Sequence, residues 1–64
     1  MILKFIDGPE EIVYSEVEIY KVIKKANGPV IEFQRKGKEG IKIWPVADVC
    51  FVMNDNGKTI DTIQ

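Results

Sequence analysis

The sequence contains no histidine, a single cysteine and a single serine. Zinc sites draw on histidine and clustered cysteine, and nucleophilic triads need a histidine base, so this inventory disfavours the first and excludes the second. No glycine-rich segment has the spacing of a phosphate-binding loop. We therefore expect no enzymatic activity, no metal and no cofactor. Cys50 cannot form an intrachain disulfide, and its apolar neighbours predict a buried structural thiol.

The chain also lacks an excess of charge and long apolar runs. Nine basic and ten acidic residues give a formal net charge of −1, which argues against a strongly basic nucleic-acid module. A membrane-spanning helix needs about 20 consecutive apolar residues, and the apolar start of the chain, Met1–Ile6, is too short for a signal peptide. We expect no membrane association and a cytoplasmic location. The 64 residues suffice for a single domain, residues 1–64.

Short runs rich in Ile, Val, Phe and Tyr alternate with turn signals along the chain. Segments containing Gly, Pro or Asn predict turns at residues 7–9, 27–29, 36–40 and 56–57. This rhythm favours an all-β fold, either a small curved sheet or an SH3-like barrel of five to seven short antiparallel strands. A single helical turn is expected at Pro45–Val49. The predicted strands are Ile2–Ile6, Ile12–Tyr14, Ile19–Lys25, Val30–Lys36, Ile41–Trp44, Cys50–Met53 and Thr59–Ile63.

The segment at residues 16–26 fits two structures. Ser15 and Glu18 form the Ser-x-x-Glu pattern of a helix capping box, and Ile19, Ile23 and Ala26 recur at helical spacing. However, five of the nine residues after Ser15 are β-branched or aromatic, which favours a strand. We prefer the strand, and an α+β fold with a helix at about 16–26 stays open as the alternative.

Hairpin geometry assigns faces to the three central strands. A two-residue turn at Asn27-Gly28 and a three-residue loop at Gly37–Glu39 fix the predicted register. The side chains that then share the core face are Tyr20, Val22, Ile31, Phe33, Ile41 and Ile43. The further core candidates are Leu3, Phe5, Ile12, Tyr14, Val46, Val49, Phe51 and Met53.

The same register places a tryptophan on the opposite face. That face carries Lys21, Ile23, Glu32, Gln34, Lys42 and Trp44. Tryptophan is costly to expose and frequent at binding hot spots. One interpretation is a protein-binding site formed by Trp44, Ile23, Tyr20 and Gln34. The alternative is that Trp44 covers a second small core, packed by the N-terminal hairpin in a closed barrel.

The middle of the chain is basic although the protein as a whole is not. Residues 21–42 carry seven basic and two acidic side chains. One interpretation is binding of nucleic acid or a nucleotide through phosphate contacts. The alternative is a solvated hairpin whose lysines prevent pairing at a strand edge. The candidate phosphate-binding residues are Lys21, Lys24, Arg35, Lys38 and Lys42.

The order of elements also resembles a known group of proteins. A short strand, Asp7-Gly8, a second strand and a hairpin closed by Asn27-Gly28 precede the segment Ile41-Lys42-Ile43-Trp44-Pro45-Val46-Ala47-Asp48-Val49. This pattern is similar to many small, uncharacterised all-β proteins of phages and prophages of Gram-positive bacteria. The resemblance implies an accessory protein in the host cytoplasm that binds a host protein, a nucleotide signal or another phage component. No site residue carries over, and Trp44 departs from the small or β-branched residue usual there.

Together these features predict a non-catalytic binding protein. The preferred function is that of a small phage-type accessory or host-modulating protein that acts by protein–protein contact. A module that binds nucleic acid or a nucleotide is the first alternative. A structural or assembly subunit is the second, since a domain of this size gains stability from association, and a homo-oligomer stays open.

Overall fold

The computed structural model describes residues 1–64 and contains seven strands and no helix. The all-β prediction is therefore confirmed, and the helix at about 16–26 is wrong. The helical turn at Pro45–Val49 is also wrong, because Pro45 ends a strand and Val49 begins the next after a short bend. The strands are β1 (Ile2–Asp7), β2 (Glu10–Tyr14), β3 (Val17–Lys25), β4 (Gly28–Arg35), β5 (Lys42–Pro45), β6 (Val49–Met53) and β7 (Thr59–Ile63).

The strands form two antiparallel sheets. One has four strands in the order β2-β1-β6-β7, and the other has three in the order β3-β4-β5. Backbone hydrogen bonds join them at one corner, where the Val17 N–H donates to the Met1 carbonyl (2.8 Å) and the Met1 amine donates to the Val17 carbonyl (3.0 Å). The Tyr20 hydroxyl adds a bond from β3 to Asp61 of β7 (3.1 Å).

The capping-box residues form a corner instead of a helix start. Glu16 adopts a left-handed backbone conformation with φ of 56°, which turns the chain from β2 into β3. Its carbonyl accepts a hydrogen bond from the Lys36 N–H (2.7 Å), so the corner is held by the start of the β4–β5 loop. After this corner, two backbone hydrogen bonds between Val17 and Met1 hold the chain extended at the start of β3. Long-range pairing of β-branched residues thus overrides the local helix signal.

The β3–β4 hairpin pairs two residues away from the predicted register. Lys25 pairs with Gly28, so Ala26 and Asn27 form the turn and Tyr20 lies opposite Phe33. Side chains alternate with a period of two, so a shift of two residues leaves every side chain on its predicted face. The predicted core face is therefore confirmed in these strands: Ile31 and Phe33 are buried, with Tyr20 and Val22 half-buried beside them.

The β4–β5 hairpin pairs one residue away from the predicted register, and this shift exchanges its faces. Phe33 lies opposite Lys42 and Ile31 lies opposite Trp44. The predicted placement of Ile41 and Ile43 in the core is therefore wrong, since both are exposed. The connection spans residues 36–41 and is twice the predicted length. It contains two glycines with positive φ, at positions 37 and 40.

The core lies between the two sheets. Its buried members are Leu3, Phe5, Val17, Ile31, Phe33, Val46, Cys50, Val52 and Ile63. Cys50 and Val52 pair with Phe5 and Leu3 on the inner side of the four-stranded sheet. The predicted core positions in β6 are wrong by one residue, because the side chains on its outer, half-buried side are Val49, Phe51 and Met53.

Candidate functional site

Trp44 lies on the inner face of the three-stranded sheet. Its half-buried ring lies 6.3 Å from the ring of Phe5 and 5.9 Å from that of Tyr14, measured between centroids. Both partners belong to the N-terminal β1–β2 hairpin. The hypothesis of an open recognition face centred on Trp44 therefore does not describe this sheet. The alternative is right that the N-terminal hairpin packs on Trp44, but Trp44 adjoins the single core between the sheets and does not cover a second one.

The four residues predicted to bind a partner are divided between two faces. Tyr20 shares the inner face with Trp44, whereas Ile23 and Gln34 lie on the outer face. The Tyr20 hydroxyl donates to Asp61 (3.1 Å), and burial together with this carboxylate raises the pKa of Tyr20. Tyr20 thus serves the contact between the sheets, and only Ile23 and Gln34 remain on one common surface.

The outer face of the three-stranded sheet carries an exposed aliphatic surface. Ile19, Ile41 and Ile43 keep 63%, 65% and 58% of their accessible area, and Ile23 and Val30 pair beside them, both half-buried. We call these five residues the outer isoleucine face. A shallow depression of about 180 Å³ is lined in part by Ile19, Ile41 and Gln34. The face therefore has both exposed apolar area and a recess.

Charged groups on this surface are few. Lys21 and Glu32 lie opposite each other in the β3–β4 register. They do not form an ion pair, since the molecule's two ion pairs are Met1 with Asp55 (3.3 Å) and Lys4 with Glu11 (2.6 Å). The outer isoleucine face thus surrounds Lys21 and Glu32, and the exposed Lys25 follows Ile23 on the same side at the end of β3.

The structure brings together three of the five cations proposed to contact phosphate. Arg35, Lys38 and Lys42 line a pocket of about 430 Å³ at the β4–β5 loop. Lys21 is on the outer face, and Lys24 lies at the far end of β3, near Gln64. Arg35, Lys38 and Lys42 therefore form a basic cluster, and the other two candidate cations lie outside it.

Cys50 is buried, as expected, and burial raises its pKa to about 11. The thiolate is the nucleophilic form of cysteine, so burial keeps Cys50 in its less reactive thiol form near neutral pH. No group of three or more His, Cys, Asp or Glu side chains is arranged to hold a metal ion. The protein contains no helix that could span a membrane.

The sequence interpretation missed Ile19, Ile41 and Ile43 as surface residues. The signal for two of them is the pair of glycines at positions 37 and 40, whose φ values are 74° and 83°. A loop that contains both glycines moves the start of β5 to Lys42 and turns Ile43 outward. No protein-family model, curated protein or solved structure matches this chain.

Proposed function

We propose that this chain is a non-catalytic binding protein whose outer isoleucine face docks on another protein. The observation that carries the proposal is the exposure of Ile19, Ile41 and Ile43 on one side of one sheet. Contiguous exposed apolar patches mark interaction surfaces on soluble proteins. A domain of 64 residues needs its large apolar side chains for stability, so three outward-facing isoleucines indicate a surface that a partner covers.

The chemistry of the face defines the kind of partner. Five aliphatic side chains surround Lys21, Glu32 and Gln34, so a matching surface is apolar at its centre and presents one group of each charge. The depression beside Gln34 receives an apolar side chain of the partner. Because Lys21 and Glu32 at the centre of the face carry one charge of each sign, its affinity depends less on salt than binding of phosphate does.

The proposal includes the biological class implied by the resemblance described above. In this role the chain is a small phage-type accessory protein, and the partner is a host protein that it modulates. We also propose that the two sheets together form an SH3-like barrel. The backbone bonds between Met1, just before β1, and Val17 of β3 join the two sheets and support this description.

The test compares two matched lysine substitutions. Ile43→Lys changes the outer isoleucine face, and Ile60→Lys makes the same change at a site of similar exposure (55%) in the other sheet. Candidate partners captured by the immobilised protein are purified and titrated against both variants. We expect Ile43→Lys to weaken binding by about thirtyfold or more, as at an interface hot spot, and Ile60→Lys by less than about threefold.

Two results would overturn the proposal. One is a partner that binds Ile43→Lys as tightly as the unaltered protein while losing affinity for Ile60→Lys. The other is a stable dimer of this chain, measured by light scattering, that Ile43→Lys dissociates. In that case a second copy occupies the outer isoleucine face and the protein is an assembly subunit.

A further inference from the structure

A second surface lies at the β4–β5 loop. It adjoins the outer isoleucine face at Ile41 but differs from it in charge. Arg35 at the end of β4, Lys38 in the loop and Lys42 at the start of β5 line the same pocket. We call these three residues the cation cluster. The pocket has a volume of about 430 Å³ and contains two apolar lining residues, Phe33 and Ile41. Its lining therefore suits a polar, negatively charged ligand.

Tyr14 of β2 holds two members of the cation cluster in place. The Lys42 Nζ lies 5.1 Å from the centroid of the Tyr14 ring, and the Arg35 guanidinium carbon lies 5.7 Å from it. Both distances are within the range of cation–π attraction. Arg35 is fixed further by its Nε, which donates to the Ser15 carbonyl (2.9 Å). The terminal nitrogens of the guanidinium make no hydrogen bond within the protein.

The charge of the cation cluster is not balanced inside the molecule. Neither Arg35 nor either lysine has a carboxylate within ion-pair distance, since both ion pairs of the protein lie elsewhere. Glu39 lines the pocket but is not paired with any of the three. Arg35, Lys38 and Lys42 line one pocket without a paired carboxylate, so their charges repel each other, and a bound anion lowers that cost.

We propose that the cation cluster binds a phosphate group, carried either by a nucleotide or by the backbone of single-stranded nucleic acid. Guanidinium offers paired N–H donors that match phosphate oxygens, and the two lysines supply point charges around them. The pocket volume lies within the usual range for small-ligand sites.

The ring that positions the cations is not available to stack on a base. Tyr14 already contacts Phe33 and Trp44, with ring centroids 4.9 Å and 5.9 Å away. Base stacking is what gives single-strand binders most of their contact with the bases. Recognition at this site is therefore of the phosphate alone, and we expect little preference among bases.

Trp44 provides the measurement. It is the only tryptophan, and its ring contacts Tyr14, so its fluorescence reports on the pocket. The probes are inorganic phosphate, ATP and a short oligothymidine, each titrated at low salt with matched chloride as the blank. We expect saturable binding that weakens with salt; for the oligothymidine the slope is about 0.7 per phosphate contact.

Matched variants show whether binding is specific to the cation cluster. Lys38→Ala removes an exposed loop cation that has no packing role, and Lys24→Ala removes a cation of the same basic segment outside the pocket. We expect Lys38→Ala to weaken phosphate binding by about tenfold and Lys24→Ala by less than about twofold. Lys42→Gln, which keeps most of the side chain over Tyr14, gives a second loss of about tenfold.

Binding of ATP but not oligothymidine supports the site with a nucleotide as the source of phosphate, and the reverse supports it with nucleic acid. Two outcomes would overturn the proposal. One is the absence of saturable binding of all three probes at low salt. The other is an equal loss of affinity in Lys24→Ala and Lys38→Ala, which indicates diffuse attraction to the basic segment as a whole.

Discussion

The two faces of the three-stranded sheet carry similar side chains in opposite surroundings. On the inner face, Ile31 and Phe33 are fully buried against the four-stranded sheet. On the outer face, Ile41 and Ile43 keep more than half of their accessible area. The contrast is sharpest within β5, where the neighbours Ile43 and Trp44 point to opposite sides. Apolar character alone therefore does not tell which side chains of this sheet lie in the core and which lie on the surface.

The two faces differ in what they contribute to the isolated chain. Burying a large apolar side chain stabilises a fold by about 1.5–3 kcal/mol. Ile31 and Phe33 on the inner face are buried in the isolated chain and therefore stabilise it without a partner. The exposed isoleucines contribute little until another surface covers them. Substitutions on the inner face should therefore change the free energy of unfolding, and those on the outer face should change binding alone. The predictions that follow test this division.

The largest effect is expected for Trp44→Ala. The substitution removes a ring that packs against Phe5 and Tyr14, so we expect the free energy of unfolding to fall by about 3 kcal/mol. That is a large part of the stability of a small domain. Urea denaturation should be followed by circular dichroism, because the substitution removes the only tryptophan. A midpoint close to that of the unaltered protein would show that the Trp44 ring contributes little to the core and behaves as a surface side chain.

The two central hairpins show how much of this fold the sequence predicts. All seven strands follow from turn signals and β-branched runs, because those signals act locally. The register does not, because it depends on how each turn closes. An error of two residues at Asn27 leaves the faces intact, whereas an error of one residue at Gly37–Gly40 exchanges them.

The same error explains which parts of the candidate sites could be predicted. Ile23 and Gln34 stand on β3 and β4, whose faces were unaffected, so both were placed on the outer surface. Ile43 and Trp44 stand on β5, and the sequence prediction assigns each of them to the wrong face of the sheet. The sequence predicts Tyr14 only as a core residue. Its contacts with Arg35 and Lys42 depend on the approach of β2 to the end of β4 and the start of β5, which no local pattern encodes.

A smaller effect is expected from ionisation of Cys50 at high pH. Burial raises the pKa of the folded thiol to about 11, against 9.0 for an exposed thiol. The unfolded chain therefore releases this proton first, so the contribution to stability is complete below pH 9 and is lost as the pH rises to about 11. Over this range we expect the unaltered protein to lose about 2 kcal/mol more than Cys50→Ala.

The Cys50→Ala control is needed because lysine and tyrosine side chains also titrate at high pH, and Tyr20 has a raised pKa of its own. Urea denaturation at several pH values, run in parallel on both proteins, isolates the thiol. Parallel losses in the two proteins would show that water reaches Cys50 in the folded state, within the core between the two sheets.

The smallest effect on stability is expected for Ile43→Thr. Threonine is also β-branched, so the strand preference is kept while apolar surface is removed from the outer isoleucine face. Because Ile43 is exposed, the free energy of unfolding should change by less than about 0.5 kcal/mol. Val13→Thr, at an exposed position on the outer side of the four-stranded sheet, is the matched control. Urea denaturation should give nearly equal midpoints for both variants. A loss of 2 kcal/mol or more, on the scale of about 2–5 kcal/mol seen for core truncations, in Ile43→Thr alone would mean that this face already packs within the folded protein and is not free for a partner.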